Sequence, residues 1–136
     1  MTNTFSISID RVLESIYAFC AMDVYTCRRE RPTILGRNQA PMLRRLIANC
    51  AAELIFRLSP PAIASSLTDR PDADIISVDF DLPDNKEIWS AVRPALETIL
   101  AARVMSVAWA GVSTQMCDIY TDMANRSTDS LLAKLR

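Results

Sequence analysis

The stretch from Asp84 to Ala110 constrains the rest of the chain more than any other. Between Ala95 and Val112 its only charges are Glu97 and Arg103. Apolar residues cover most of a helical circumference there, so a helix in this place must be walled in by neighbours on several sides. Asp84 and Glu87 open the segment with the spacing of a capping box, where carboxylates accept from free backbone N–H groups. Gly111 closes it, the residue type that enters the left-handed turn after a helix most easily. Pro94 lies in the interior and removes a hydrogen bond at a cost of about 3 kcal/mol. Burying Ile88, Val92, Leu96, Ile99, Leu100, Val104 and Val107 at about 1.5–3 kcal/mol each outweighs that cost. The pattern predicts one helix over 85–110, kinked near Ser90 to Pro94, at the centre of a bundle. The apolar window is shorter than the roughly 20 residues a membrane span needs, which favours a core helix.

Three further helices fit the remaining periodicity. Ser8 caps the first, with Asp10 in its opening turn, where a carboxylate suits the positive end of the helix dipole. Its apolar set, Ile9, Val12, Leu13, Ile16, Tyr17, Cys20, Val24 and Cys27, keeps three- and four-residue spacing and predicts a helix over about 9–29. Pro41 suits the first turn of the second, which carries Leu43, Leu46, Ile47, Cys50, Leu54, Ile55 and Leu58 before Ser59, Pro60 and Pro61 stop it. The fourth starts at a Ser113 or Thr114 cap, with the stripe Met116, Ile119, Tyr120, Met123, Ala124, Ser127, Leu131 and Leu135. Between the second and third helices, residues 62–67 could make a turn of helix. Ile76, Val78, Phe80 and Leu82 then alternate with Ser77, Asp79 and Asp81, a period of two that predicts a strand over 75–82. Residues 4–9 alternate likewise and are its one candidate partner in the chain. A two-stranded ribbon is marginal alone, so it either lies on the helices or pairs with another molecule. The expected fold is a mainly α single domain over 1–136, a four-helix bundle with a minor ribbon (4–9, 75–82).

Composition excludes several activities. Half the residues are hydrophobic and 23% are charged, which argues against disorder. Gly36 and Gly111 are the only glycines, so neither a phosphate-binding loop nor a dinucleotide fingerprint can be built. There is no histidine. Nucleophilic catalysis by Ser or Cys usually needs a histidine base, and Glu14, Glu53 and Glu97, one on each of three helices, lack the Glu-x-x-His partners of a di-iron bundle. Cys20, Cys27, Cys50 and Cys117 contain no C-x-x-C pair and read as buried free thiols, with disulfides as the alternative. The expectation is a non-enzyme without cofactor or metal, and without a secretory signal in its first residues.

Charge is distributed unevenly. Net charge is −1, yet Arg28, Arg29, Arg31, Arg37, Arg44 and Arg45 lie close together, offset only by Glu30. Asp69, Asp72, Asp74, Asp79, Asp81, Asp84 and Glu87 crowd a second stretch, offset by Arg70 and Lys86. Both regions can be solvated faces or pair within the monomer. They can also meet across neighbouring subunits, with Arg28, Arg29, Arg31, Arg37, Arg44 and Arg45 facing Asp74, Asp79 and Asp81 in a head-to-tail contact of the kind that closes into rings. A third reading is phosphate contact with nucleic acid by the arginine cluster, disfavoured by the acidic stretch and the absence of interleaved aromatics.

Certain residues bear a likeness to a known group. Ser8-Ile9-Asp10 at a helix start, Asp79-Phe80-Asp81-Leu82 before the long helix, Trp109 near its end, Tyr120, and the closing Leu131-Leu132-Ala133-Lys134-Leu135-Arg136 carry it. In this layout the chain resembles small helical proteins from the structural modules of tailed phages and prophages, of the head–tail connector (adaptor) kind. Pro60-Pro61 and Pro94 depart from that pattern. The resemblance implies a virion subunit that assembles into a ring with copies of itself and other virion proteins, found in the virion or the host cytoplasm. The rival expectation is a cytosolic interaction or regulatory module whose groove takes a partner helix.

Overall fold

The computed structural model describes residues 2–26, 32, 35–59, 62–65, 75–81 and 86–135; the side chains of residues 2, 3, 23–26, 62–65 and 86–88 fall outside that description. The chain runs β1 (Thr2–Ser8), α1 (Ile9–Thr26), a short 3-10 turn (Arg37–Gln39), α2 (Ala40–Leu58), β2 (Ala62–Ser65), β3 (Ile75–Asp81), α3 (Lys86–Trp109) and α4 (Thr114–Leu135). The described residues are mainly helical, with four α-helices and one small antiparallel sheet among them.

The sheet follows the period of two. β1 and β3 pair antiparallel, with Phe5 opposite Val78 and Ile7 opposite Ile76. These four and Phe80 are buried on one face, where the Phe5 and Phe80 rings meet edge-on at 5.7 Å. The other face carries Thr4, Ser6, Ser77 and Asp79. The ribbon therefore pairs within the chain. It differs from expectation at two places. Ile9 opens α1 instead of closing β1. Residues 62–65, expected as a turn of helix, form a third strand on the far edge of β3, with a slip in register between Ala62 and Ala64. A lone helical turn fixes several dihedrals for one bond, whereas the open edge of β3 offers a row of ready partners.

The helices form where the three- and four-residue spacing places them. The Ser8 hydroxyl accepts from the Arg11 N–H at 3.4 Å, and Ile9, Val12, Leu13, Ile16 and Cys20 of α1 are buried. Arg28 and Arg29, expected in its last turn, lie outside the described residues. α2 starts with Pro41 in its first turn and buries Leu43, Ile47, Cys50, Leu54 and Leu58. α3 continues unbroken through Pro94. From Ile99 to Ser106 every residue except Arg103 is buried, and α1, α2, α4 and β1 all pack against this helix. The expected cover on several sides is present. The Asp84–Glu87 capping box lies outside the described side chains.

Three details correct the reading of α3 and α4. Val107, expected in the core, is 49% exposed. Gly111 does not take a left-handed backbone; the turn closes instead by the Trp109 carbonyl accepting from Val112 N–H at 2.9 Å and Ser113 N–H at 3.0 Å. In α4, Ile119 is 48% exposed, and Thr128 takes the buried place expected of Ser127. The buried line steps by four through Met116, Tyr120, Ala124 and Thr128, which leaves Ile119 at its side. The Thr128 hydroxyl is satisfied there by donating to the Ala124 carbonyl at 2.7 Å. The expected cap is present, with the Met116 N–H donating to the Ser113 hydroxyl at 3.3 Å.

Candidate interaction surfaces

Among the described residues the arginine cluster gathers where α1 meets the start of α2. Arg44 Nη2 donates to Asp10 Oδ1 at 2.7 Å, joining α2 to the opening turn of α1. The Arg37 guanidinium lies over the Tyr17 ring, 4.5 Å from its centroid, a cation–π contact. Arg45 is exposed on the outward side of α2. Arg28, Arg29 and Arg31 lie outside the described residues. Two of the three described arginines thus have contacts on α1, and Arg45 presents its charge outward. Below Arg37 an open cleft of about 620 Å³ runs along α1, with Asp10 and Glu14 at one end and Ala18 and Ala21 at the other.

The described acidic residues of the second stretch, Asp79 and Asp81, sit on the outer face of the sheet. Asp79 accepts from the Thr4 hydroxyl at 2.6 Å, the partner directly opposite it in the ladder. Asp81 is exposed at the end of β3. Asp74 lies outside the described residues, as do Asp69, Asp72 and Asp84.

The other candidate chemistry disperses. Glu14 and Glu53 are exposed, and Glu53 pairs with Arg103 at 3.3 Å. Glu97, expected at the surface, is half-buried, and its Oε1 is shielded from solvent without a hydrogen-bond partner. No group of three or more metal-ligating side chains forms among the described residues. Cys20 and Cys50 are buried thiols and Cys117 is half-buried. Burial pushes the Cys50 thiol up to about 11; Arg103 pulls the other way and Glu53 adds to the rise. A thiol held protonated is a poor nucleophile. No described helix is long and apolar enough to cross a membrane.

The most unusual surface is one that the dominant period does not single out. α2 carries large apolar side chains on the side opposite its buried stripe. Met42, Arg45, Asn49, Ala52, Glu53 and Phe56 share that outward side, and all six are exposed. Phe56 is 84% exposed and Met42 53%. Surface helices normally place polar residues there. The signal in the sequence is faint: Met42, Ala52 and Phe56 fall off the main stripe at near whole-turn spacings, with the polar Arg45, Asn49 and Glu53 between them. No protein-family model, curated protein or solved structure matches the chain.

Proposed function

We propose that this protein is a non-enzymatic assembly subunit that works by touching copies of itself and other proteins. The observation that supports this best is the outward face of α2, where Phe56 stands 84% exposed beside Ala52 and on the same side as Met42. Leaving such a ring in water forgoes the stabilisation of burying it, about 1.5–3 kcal/mol. Phe, Met and Arg are residue types enriched where proteins meet, and this one face carries Phe56, Met42 and Arg45. The scaffold behind that face is read as a four-helix bundle around a bent α3, rigid enough to present it. Arg45 on the same face, and Asp79 and Asp81 on the sheet, supply charges of opposite sign for orienting a neighbour.

The sequence resemblance to head–tail connector proteins supports a role in the structural apparatus of a tailed phage or prophage, in the virion or the host cytoplasm. Light scattering across a concentration range tests the reading. Discrete association above the monomer mass supports it. A monomer at all concentrations up to about 500 µM, and no binding to proteins encoded beside it, overturns it.

A further inference from the structure

The assembly reading says that copies touch; the outward face of α2 indicates how. We propose that α2 packs antiparallel against α2 of a second copy, about a two-fold axis passing at Asn49. The inference rests on the assembly reading and names its partner and geometry.

The outward face is self-complementary in that arrangement. Arg45 and Glu53 lie four residues to either side of Asn49, and Met42 and Phe56 lie seven to either side. A two-fold axis at Asn49 brings Arg45 of each copy level with Glu53 of the other, and Met42 of each level with Phe56 of the other. Each contact forms twice. The two charge pairs are of opposite sign, and the thioether–ring pairs are of a favourable kind. At the axis itself Asn49 meets its own copy. A primary amide carries both donors and an acceptor, so two of them related by a two-fold axis can each donate to the other. Asn49 also helps fix register, because a slip of one turn sets its amide opposite Arg45 or Glu53 and breaks the amide–amide pair. A parallel arrangement would instead bring Arg45 level with Arg45 and Glu53 level with Glu53, which like-charge repulsion disfavours. Ala52 adds little bulk, so the axes can approach to the usual 8–10 Å or so of packed helices.

Within each copy the charges are already placed. Arg103 holds Glu53 Oε2 at 3.3 Å, which steadies the carboxylate while its side chain stays 66% exposed. Arg45 is exposed two turns before it. The contact from Met42 to Phe56 runs about 21 Å along the helix at 1.5 Å per residue. A single helix pair of that length buries less than the roughly 800 Å² per partner of a standard interface, so the dimer is reversible.

Two single variants test this by sedimentation velocity, Arg45→Glu and Glu53→Arg, each alone and then mixed in equal amounts. Alone, each variant brings like charges together at both pairs. Each is expected to dissociate at least tenfold more readily than the wild type. The mixture is expected to recover association, because one variant then meets the other with opposite charges at both pairs. The double variant Arg45→Glu/Glu53→Arg is expected to associate more tightly than either single variant, but short of the wild type, because an arginine at 53 loses the contact with Arg103. Phe56→Ser, which changes no charge, is expected to weaken the dimer and keeps the test open if a charge variant fails to fold. Wild-type association that none of these substitutions alters overturns the α2 pairing and leaves the assembly reading standing. A wild type that stays monomeric throughout overturns the α2 pairing, and it overturns the assembly reading too if the protein also binds nothing encoded beside it.

Discussion

In α3, Ile99, Leu100, Ala101, Ala102, Val104 and Met105 are all buried, and three helices and a strand pack against the helix. In α2, Leu43, Ile47, Cys50, Leu54 and Leu58 are buried too, yet Met42, Ala52 and Phe56 on the opposite side face water. Both helices carry apolar residues on more than one side. α3 uses that surface within the molecule; the outward residues of α2 are left outside it. Apolar content alone therefore does not make a helix central. What separates the two is the supply of neighbours, which leaves Met42 and Phe56 of α2 exposed.

The largest expected effect probes the covered helix. Leu96 is 1% exposed, and Leu96→Ala should lower the unfolding free energy by about 2–5 kcal/mol in urea denaturation. A loss below about 0.5 kcal/mol would mean that α3 is not walled in.

A second effect lies on the covered side of α2. The Cys50 thiol is raised from 9.0 to about 11 in the folded protein. Below pH 9 the thiol is protonated whether the chain is folded or not, so its contribution is fully present. As pH rises from 9 toward 11 the unfolded chain releases the proton and the folded one keeps it, so stability falls, by on the order of 1–2 kcal/mol. Comparing pH titrations of stability for the wild type and Cys50→Ala isolates this slope; identical slopes would place Cys50 in water.

The end of α3 gives a smaller effect of opposite sign. A Cβ added at Gly111 meets nothing within 4 Å, and its backbone lies outside the left-handed region. Gly111→Ala should therefore stabilise the fold by about 0.4–1 kcal/mol, chiefly by restricting the unfolded chain. Destabilisation measured by thermal melting would mean that the left-handed turn is needed after all.

The smallest effect tests the uncovered face. Phe56→Ala should change the unfolding free energy of the dilute monomer by no more than about 0.5 kcal/mol, since an exposed side chain has little packing to lose. A loss near that of Leu96→Ala would show that Phe56 is packed, and the contrast between the helices would collapse.

Much of this architecture can be read from residue spacing. The helix through Pro94, the buried stripe of α2, the Ser8 and Ser113 caps, and the pairing of residues 4–8 with 75–81 all follow from local pattern. β2 does not, because Ala62–Ser65 has no alternation of its own and becomes a strand only beside β3. Val107 and Ile119 are apolar residues at the margins of their stripes, and periodicity does not tell which marginal residue a neighbour will cover. The partner of Arg44 is Asp10, 34 residues away, a pairing that depends on how α1 and α2 pack. Phe56 escapes notice because a strong apolar stripe on the same helix dominates the pattern, and Arg45, Asn49 and Glu53 make the opposite side look like an ordinary solvated face. Of the proposed interface residues, Arg37, Arg44, Arg45, Asp79 and Asp81 are placed on two distinct surfaces; Arg28, Arg29, Arg31 and Asp74 lie outside the described residues.

Hydroxyl-radical footprinting at rising protein concentration reads both helices in one experiment. Met42 and Phe56 are expected to oxidise readily in dilute solution and become protected as copies associate, while Met105 stays unreactive and Val112 and Ile119 stay unchanged. Association that leaves Met42 and Phe56 as reactive as in the dilute monomer would contradict the α2 pairing.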